Sequence, residues 1–111
     1  MTETDEVLLV LTNLPDPDSA RTLAAALIDG GHAACVNILA PATSVYRWEG
    51  AVQTDAETPM LIKTTRRAYA MLEQALRAGH PYELPEIVAV PVTAGLPAYL
   101  DWVRHETRAR E

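Results

Sequence analysis

The residues best suited to hold a divalent metal ion are Cys35, Glu57, His80 and Glu83. Cys35 is the only cysteine, and a thiolate is the softest ligand a protein offers, matched to Cu(I) or Zn(II). His32 stands three residues earlier. An odd separation on a regular strand sends side chains to opposite faces, so the two share an ion only if His32 still belongs to the Gly30-Gly31 turn. Packed without a ligand role, Cys35 is a small buried hydrophobe. His80-Pro81-Tyr82-Glu83, with Leu84-Pro85 beyond, is a stiff extended segment, because proline restricts itself and the residue before it. It presents an imidazole, a phenol and a carboxylate in fixed directions, and Glu57 can complete a divalent site from the same or a neighbouring chain. The plainer reading is a rigid connector in which Tyr82 packs and His80 caps the helix end.

A different chemistry belongs to Lys63-Thr64-Thr65-Arg66-Arg67, the basic cluster. Cations at a helix N-terminus oppose the macrodipole. Either amides, hydroxyls and guanidinium groups form an anion site there, or the arginines are solvated or paired with some of the 15 acids. No Walker motif or Gly-rich loop accompanies them. Glu57 and Lys63 share strand parity, but six residues of strand separate them by about 20 Å, too far for an ion pair within one chain. Pro59 between them cannot donate to a ladder and demands an edge or a bulge, and a bulge would reverse that parity. Trp48 and Trp102 read as packing anchors, with Tyr46 at Trp48's parity and able to clasp a neighbour. Asp101 and His105 read as an exposed i, i+4 pair.

Two strand–helix–strand units position these groups. Residues 7–11 are an unbroken apolar run, a strand buried on both faces. Asp16-Pro17-Asp18 supplies a capping acid, a proline at the first helical position and an acid in the first turn. Ala20, Leu23, Ala24, Leu27 and Ile28 make one apolar stripe, ended by Gly30-Gly31. A strand over 33–39 follows. The pattern then recurs as a strand over 60–64, a Thr64 or Thr65 cap, the stripe Ala68, Met71, Leu72, Ala75 and Leu76, a stop at Gly79 and a strand over 86–92. Pro97 opens a last helix with Tyr99, Leu100, Trp102 and Val103. Between the halves, residues 44–50 alternate up to a Glu49-Gly50 turn and Ala51-Val52 resumes, which is a hairpin. The order is therefore βαββαβ, an α+β ferredoxin-like sandwich with an additional C-terminal helix. A doubly wound parallel sheet would need a helix where the hairpin sits. Both crossover helices lie on one side of such a sheet, so strands apolar on both parities leave a bare face that predicts self-association.

With 111 residues and 12.1 kDa, the chain fits one domain over residues 1–111. A hydrophobic share of 49% excludes wholesale disorder. A net charge of −6 opposes phosphate backbones, so nucleic acid is not an expected partner. No stretch approaches the roughly 20 apolar residues of a membrane helix, and no membrane partner is expected. The apolar run after the acidic N-terminus is too short for a signal sequence, and a lone cysteine suits a reducing compartment; the expected location is cytoplasmic. Residues 1–60 hold nine acids and two arginines, whereas 61–111 hold six acids and seven bases, so cations are expected in the first half and anions in the second.

Ala33-Ala34-Cys35-Val36-Asn37-Ile38, Ser44-Val45-Tyr46-Arg47-Trp48-Glu49-Gly50, Glu57, Ile62-Lys63-Thr64 and His80-Pro81-Tyr82-Glu83-Leu84-Pro85-Glu86-Ile87 together resemble the CutA divalent-cation tolerance proteins. Pro91-Val92 and Tyr99-Leu100-Asp101-Trp102 extend the resemblance over nearly the whole chain. It implies a ferredoxin-like protomer in a tight homotrimer and a part in tolerance to copper and other divalent metals. It also implies binding rather than catalysis, with no obligatory cofactor and copper or another divalent cation as ligand. The residues it brings forward near clefts between subunits are Cys35, Glu57, Lys63, His80, Tyr82 and Glu83, with Trp48 beside them. The family's fold and trimer also look similar to the PII signalling proteins. That likeness gives the alternative, a sensor of a small anion through Lys63, Arg66 and Arg67 at a subunit interface. An acylphosphatase-type enzyme is not expected, because the loop Asn13-Leu14-Pro15-Asp16-Pro17 lacks a Gly-rich anion cradle.

Overall fold

The structure, a computed structural model, describes residues 5–107. The N-terminal stretch through residue 4, read above as acidic, lies outside them. The elements run β1 (Val7–Leu14), α1 (Pro17–Asp29), β2 (Cys35–Ile38), β3 (Ala42–Trp48), β4 (Ala51–Thr65), α2 (Arg66–Gly79), β5 (Val88–Pro91) and α3 (Pro97–Glu106). Five strands form one sheet in the order β2-β4-β1-β5, with β3 also paired to β4. Every strand pair is antiparallel, which removes the doubly wound alternative.

Side-chain parity divides the sheet into two unlike faces. Leu8, Val10, Thr12 and Leu14 stand opposite Thr64, Ile62, Met60 and Thr58, and all eight are buried. Leu23 and Leu27 of α1 and Leu72 and Leu76 of α2 join Val10, Leu14, Met60 and Ile62 in one core. Each leucine fully withdrawn from water there contributes about 1.5–3 kcal/mol. Both helical stripes are narrower than the sequence predicts: Ile28 is 38% exposed and Met71 56%. The helix starts follow the sequence. Asp16 accepts from the Ser19 amide at 2.7 Å and Thr65 from the Ala68 amide at 3.3 Å. After α1, Gly31 takes the left-handed conformation (φ 75°) that frees the chain to turn back.

The other face is open except at one end. There α3 lies across Val7 and Thr65, both buried, and the Thr107 hydroxyl reaches the Thr65 hydroxyl at 3.4 Å. Farther along, Val88 and Val90 stay about half exposed at 49% and 48%. The expected strands at 33–39 and 86–92 contract to Cys35–Ile38 and Val88–Pro91.

The largest departure from expectation is β4, fifteen residues without interruption where a hairpin arm resuming at Ala51-Val52 and a separate strand over 60–64 are predicted. Pro59 sits inside it with no break in the register against β1. The bulge that proline demands is on the facing chain. Ile38 opposes Met60 and Ala42 opposes Glu57, so residues 39–41 face only Thr58 and Pro59. Pro59 offers its carbonyl to the Leu39 amide at 2.9 Å on that same side, so its missing N–H falls where the ladder is already broken. The parity of β4 is therefore kept along its length. Its first half pairs with β3 alone, as a ribbon closed by Glu49 (φ 50°) and Gly50 (φ 80°), the two positive φ values of a tight hairpin turn. The molecule measures 46 × 29 × 23 Å, elongated for its size.

One buried side-chain polar atom lacks a hydrogen-bond partner among the described residues, the Thr12 hydroxyl in the helix-facing core. Thr12→Val keeps the shape and removes the unpaired group. It is expected to raise stability by about 1 kcal/mol, read as a higher urea midpoint with unchanged slope.

Candidate functional site

The segment after α2 crosses the end of β1 and turns beside the hairpin ribbon. His80 fixes it there. The ring is 8% exposed; its Nε2 lies 2.7 Å from the Asn13 carbonyl and its Nδ1 accepts from the Tyr82 amide at 3.2 Å. A carbonyl only accepts and an amide N–H only donates, so the ring is the neutral tautomer carrying its proton on Nε2. Burial lowers the His80 pKa from its ordinary 6.5, opposed in part by the Asn13 carbonyl and the Glu57 charge. The His80 and Tyr82 rings pack tilted, centroids 4.9 Å apart.

Beyond that clamp lies a cleft of about 660 Å³. The ribbon contributes Ser44, Tyr46, Trp48 and Glu57, the crossing segment Tyr82, Glu83, Leu84 and Glu86, and β1 contributes Asn13. Burial raises the Tyr82 phenol well above its ordinary 10.0, and a hydrogen bond to Glu57 and that carboxylate's charge raise it further. The Tyr46 hydroxyl donates to Asp55, which with lesser burial also lifts its pKa. Both phenols are therefore neutral donors that orient carboxylates. Asn13 donates to Glu86 at 3.2 Å. No Lys or Arg lines the cleft, and no ion pair involves Asp55, Glu57, Glu83 or Glu86 among the described residues. The result is an acid-rich, aromatic-walled concavity with a negative field.

Of the residues singled out from the sequence, Trp48, Glu57, Tyr82 and Glu83 meet in this cleft, with His80 behind it. Cys35 does not join them. It stands opposite Lys63 on the open sheet face, with the Lys63 ammonium 3.9 Å from its sulfur, 2.7 Å from Asn37 and over the Tyr99 ring. The expected metal set Cys35, Glu57, His80 and Glu83 is thus not one cluster within the protomer, because six residues of continuous β4 place Lys63, and Cys35 beside it, about 20 Å from Glu57. Among the described residues no three His, Cys, Asp or Glu side chains converge as a metal cage requires. His32 lies in the turn and lines a separate cavity, so it does not pair with Cys35.

Arg66 and Arg67 do not join Lys63 either. Arg66 binds Glu6 through Nε at 3.0 Å and Nη2 at 2.6 Å, and Arg67 reaches Asp5 at 3.4 Å. Acids delivered by the chain just before β1 thus answer the cations at the start of α2. Asp101 pairs with Arg104 at 2.8 Å rather than with His105. Asp55, Asn13 and Glu86 were not foreseen. Asp55 had a signal, since it sits two residues before Glu57 and diagonal to Tyr46 in the hairpin register; Asn13 and Glu86 arrive by long-range closure that leaves no local pattern.

An antiparallel sheet with two helices on one face, a projecting ribbon and an acidic cleft where ribbon meets loop define a small α+β protein. The sequence profile of the CutA1 divalent ion tolerance protein matches residues 8–106, and the chain belongs to that family. The divalent-cation tolerance protein CutA of Thermus thermophilus is 48% identical over 99 residues, which are 89% of this chain and 96% of that protein. The solved structure of a Thermus thermophilus protein of that name superposes with a TM-score of 0.90 at 46% identity, covering 92% of this chain and 99% of the other. Protein CutA 1, chloroplastic, of Oryza sativa is 40% identical over 91% of this chain, which spans only 57% of that longer relative.

The His80 clamp predicts a pH dependence. Its folded pKa is depressed, so its contribution to stability is complete above pH 6.5 and is lost as the pH falls through the lower folded value. Between pH 7.5 and 5 the melting temperature is expected to fall more steeply for the unmodified chain than for His80→Gln, whose amide can make both hydrogen bonds without titrating. Equal slopes would show that the clamp does not govern the transition.

Proposed function

We propose that this chain acts in tolerance of divalent metal ions by binding them rather than by catalysis. In this reading it works as a cytoplasmic homotrimer of ferredoxin-like βαββαβ protomers. The observation that carries the binding reading is the cleft, whose carboxylates lack compensating cations among the described residues in a chain of the divalent ion tolerance family. The half-exposed valines of β5 and the ribbon that leaves the body support assembly through the open face.

The donors fit this role unequally. Glu57 and Glu83 are accessible oxygen ligands in the cleft. His80 can coordinate only by releasing Asn13 or the Tyr82 amide. Cys35 is a poorer candidate than its softness suggests, since the neighbouring ammonium of Lys63 repels an approaching cation. With fewer than three converging donors per protomer among the described residues, a tightly held ion draws its remaining ligands from a neighbouring subunit or water. The anion-sensing alternative has less support, because Lys63, Arg66 and Arg67 are dispersed and the arginines already face Glu6 and Asp5.

Native mass spectrometry of the metal-free protein with one equivalent of Cu(II) or Zn(II) per chain tests the reading. The expected mass is three chains, with metal retained in steps up to three ions and lost in Glu57→Gln. A monomeric mass contradicts the assembly, and a trimer that retains neither metal contradicts binding.

A further inference from the structure

The open sheet face carries opposite charges toward its two ends. At one end Lys63 stands among neutral groups. Its ammonium lies 2.7 Å from the Asn37 side-chain oxygen, 3.9 Å from the Cys35 sulfur and 5.9 Å from the centre of the Tyr99 ring. No carboxylate of its own chain pairs with it among the described residues. Its surroundings on the face are apolar, with Leu9 opposite it on β1 and the half-exposed Val90 and Val88 beyond on β5. An ammonium covered by a second apolar surface is costly unless that surface brings a carboxylate.

At the other end, Glu57 shares the parity of Lys63 on β4 and lines the cleft with Glu83 and Glu86. Tyr82 orients Glu57 and Asn13 orients Glu86, but neither brings a positive charge, and Glu83 has no ion-pair partner among the described residues. Six residues of strand hold the two ends about 20 Å apart, so one chain cannot join them. A second copy can. In a three-fold ring each protomer offers one end of the face to one neighbour and the other end to the next, a heterologous contact that closes.

We propose that the open face docks on a second copy of this chain head to tail, with the Lys63 ammonium of one copy seated between the partner's Glu57 and the partner's Glu83. Lysine against lysine, or cleft against cleft, is repulsive, so the charges that join the ends also reject other arrangements of the same apolar face. The inference rests on the assembly proposed above and names the contact that gives it direction. One ammonium against three carboxylates leaves the cleft negative, so it still attracts a divalent ion.

The test uses two charge reversals in the intact, metal-free chain, Lys63→Glu and Glu83→Lys, the latter on an exposed loop residue. Each alone sets like charges against each other at every contact and is expected to weaken assembly by at least about tenfold, read from dissociation on dilution. Mixed together, with one variant isotope-labelled, the two are expected to form mixed trimers in preference to either pure one. A two-to-one ring restores opposite charges at two of its three contacts, and a change confined to one chain's own fold gives no such rescue. Lys63→Gln, milder for the fold, is expected to weaken assembly in the same direction. Unchanged assembly in Lys63→Gln, or mixed trimers no more abundant than random exchange gives, overturns the proposal. A monomeric unmodified chain overturns it together with the assembly reading, whereas an intact trimer with indifferent variants overturns it alone.

Discussion

One unbroken strand sets the distances on which this protein's chemistry depends. β4 carries Lys63 near one end and Glu57 toward the other, and it pairs in turn with β2, β1 and β3. Such a strand has to accommodate Pro59, and does so by placing the extra residue on the chain opposite. Had the bulge formed in β4 itself, Glu57 would have turned to the other face with the rest of the ribbon, away from Tyr82. Glu57 meets Tyr82 because the bulge is on the partner side. The same continuity keeps the thiol and the ammonium at one end and the acids at the other.

Charge follows this division. At the start of α2 the dipole disfavours arginine, and the fold answers by bringing Glu6 and Asp5 alongside, so that end is locally balanced. At the ribbon end the acids receive only hydrogen bonds from Tyr46, Tyr82 and Asn13. These orient the oxygens without cancelling charge, so Glu57 from the first half and Glu83 and Glu86 from the second leave a negative field at one concavity. This placement does not follow the expectation that cations belong with the first half of the chain, because Glu83 and Glu86, two of the three carboxylates lining the cleft, come from the second half.

Much of the fold is written in short-range patterns. Asp16-Pro17, the two apolar stripes and Glu49-Gly50 each encode a local conformation, and each appears where the sequence places it. The length of β4 is not legible because residues 53–57 are polar apart from Ala56 and stay exposed or half-buried, so no hydrophobic pattern joins the hairpin arm at Ala51-Val52 to the strand beyond. Their extended state is imposed by pairing with β3, a tertiary effect overriding weak local preference. The site divides the same way. Glu57, Tyr82 and Glu83 were legible as chemically able groups, while Cys35 was grouped with them by chemical type although its strand partner, Lys63, puts it elsewhere. Residue type indicates what a side chain can bind; register decides what it can reach.

The ribbon brings fold and site together. Two strands with no third partner are marginal in water, and this pair exposes Val45 at 65% and Val52 at 64%. What steadies it is partly the turn, where Arg47 returns to the Gly50 carbonyl at 3.1 Å, and partly the contacts that shape the cleft. Tyr46 ties across to Asp55 within the ribbon, and Tyr82 ties Glu57 to the segment that His80 clamps against β1. The acidic cleft is therefore also the joint by which the projecting ribbon is held to the body. Protonating its carboxylates weakens the hydrogen bonds that make that joint, and whatever loosens His80 weakens the site and the ribbon together.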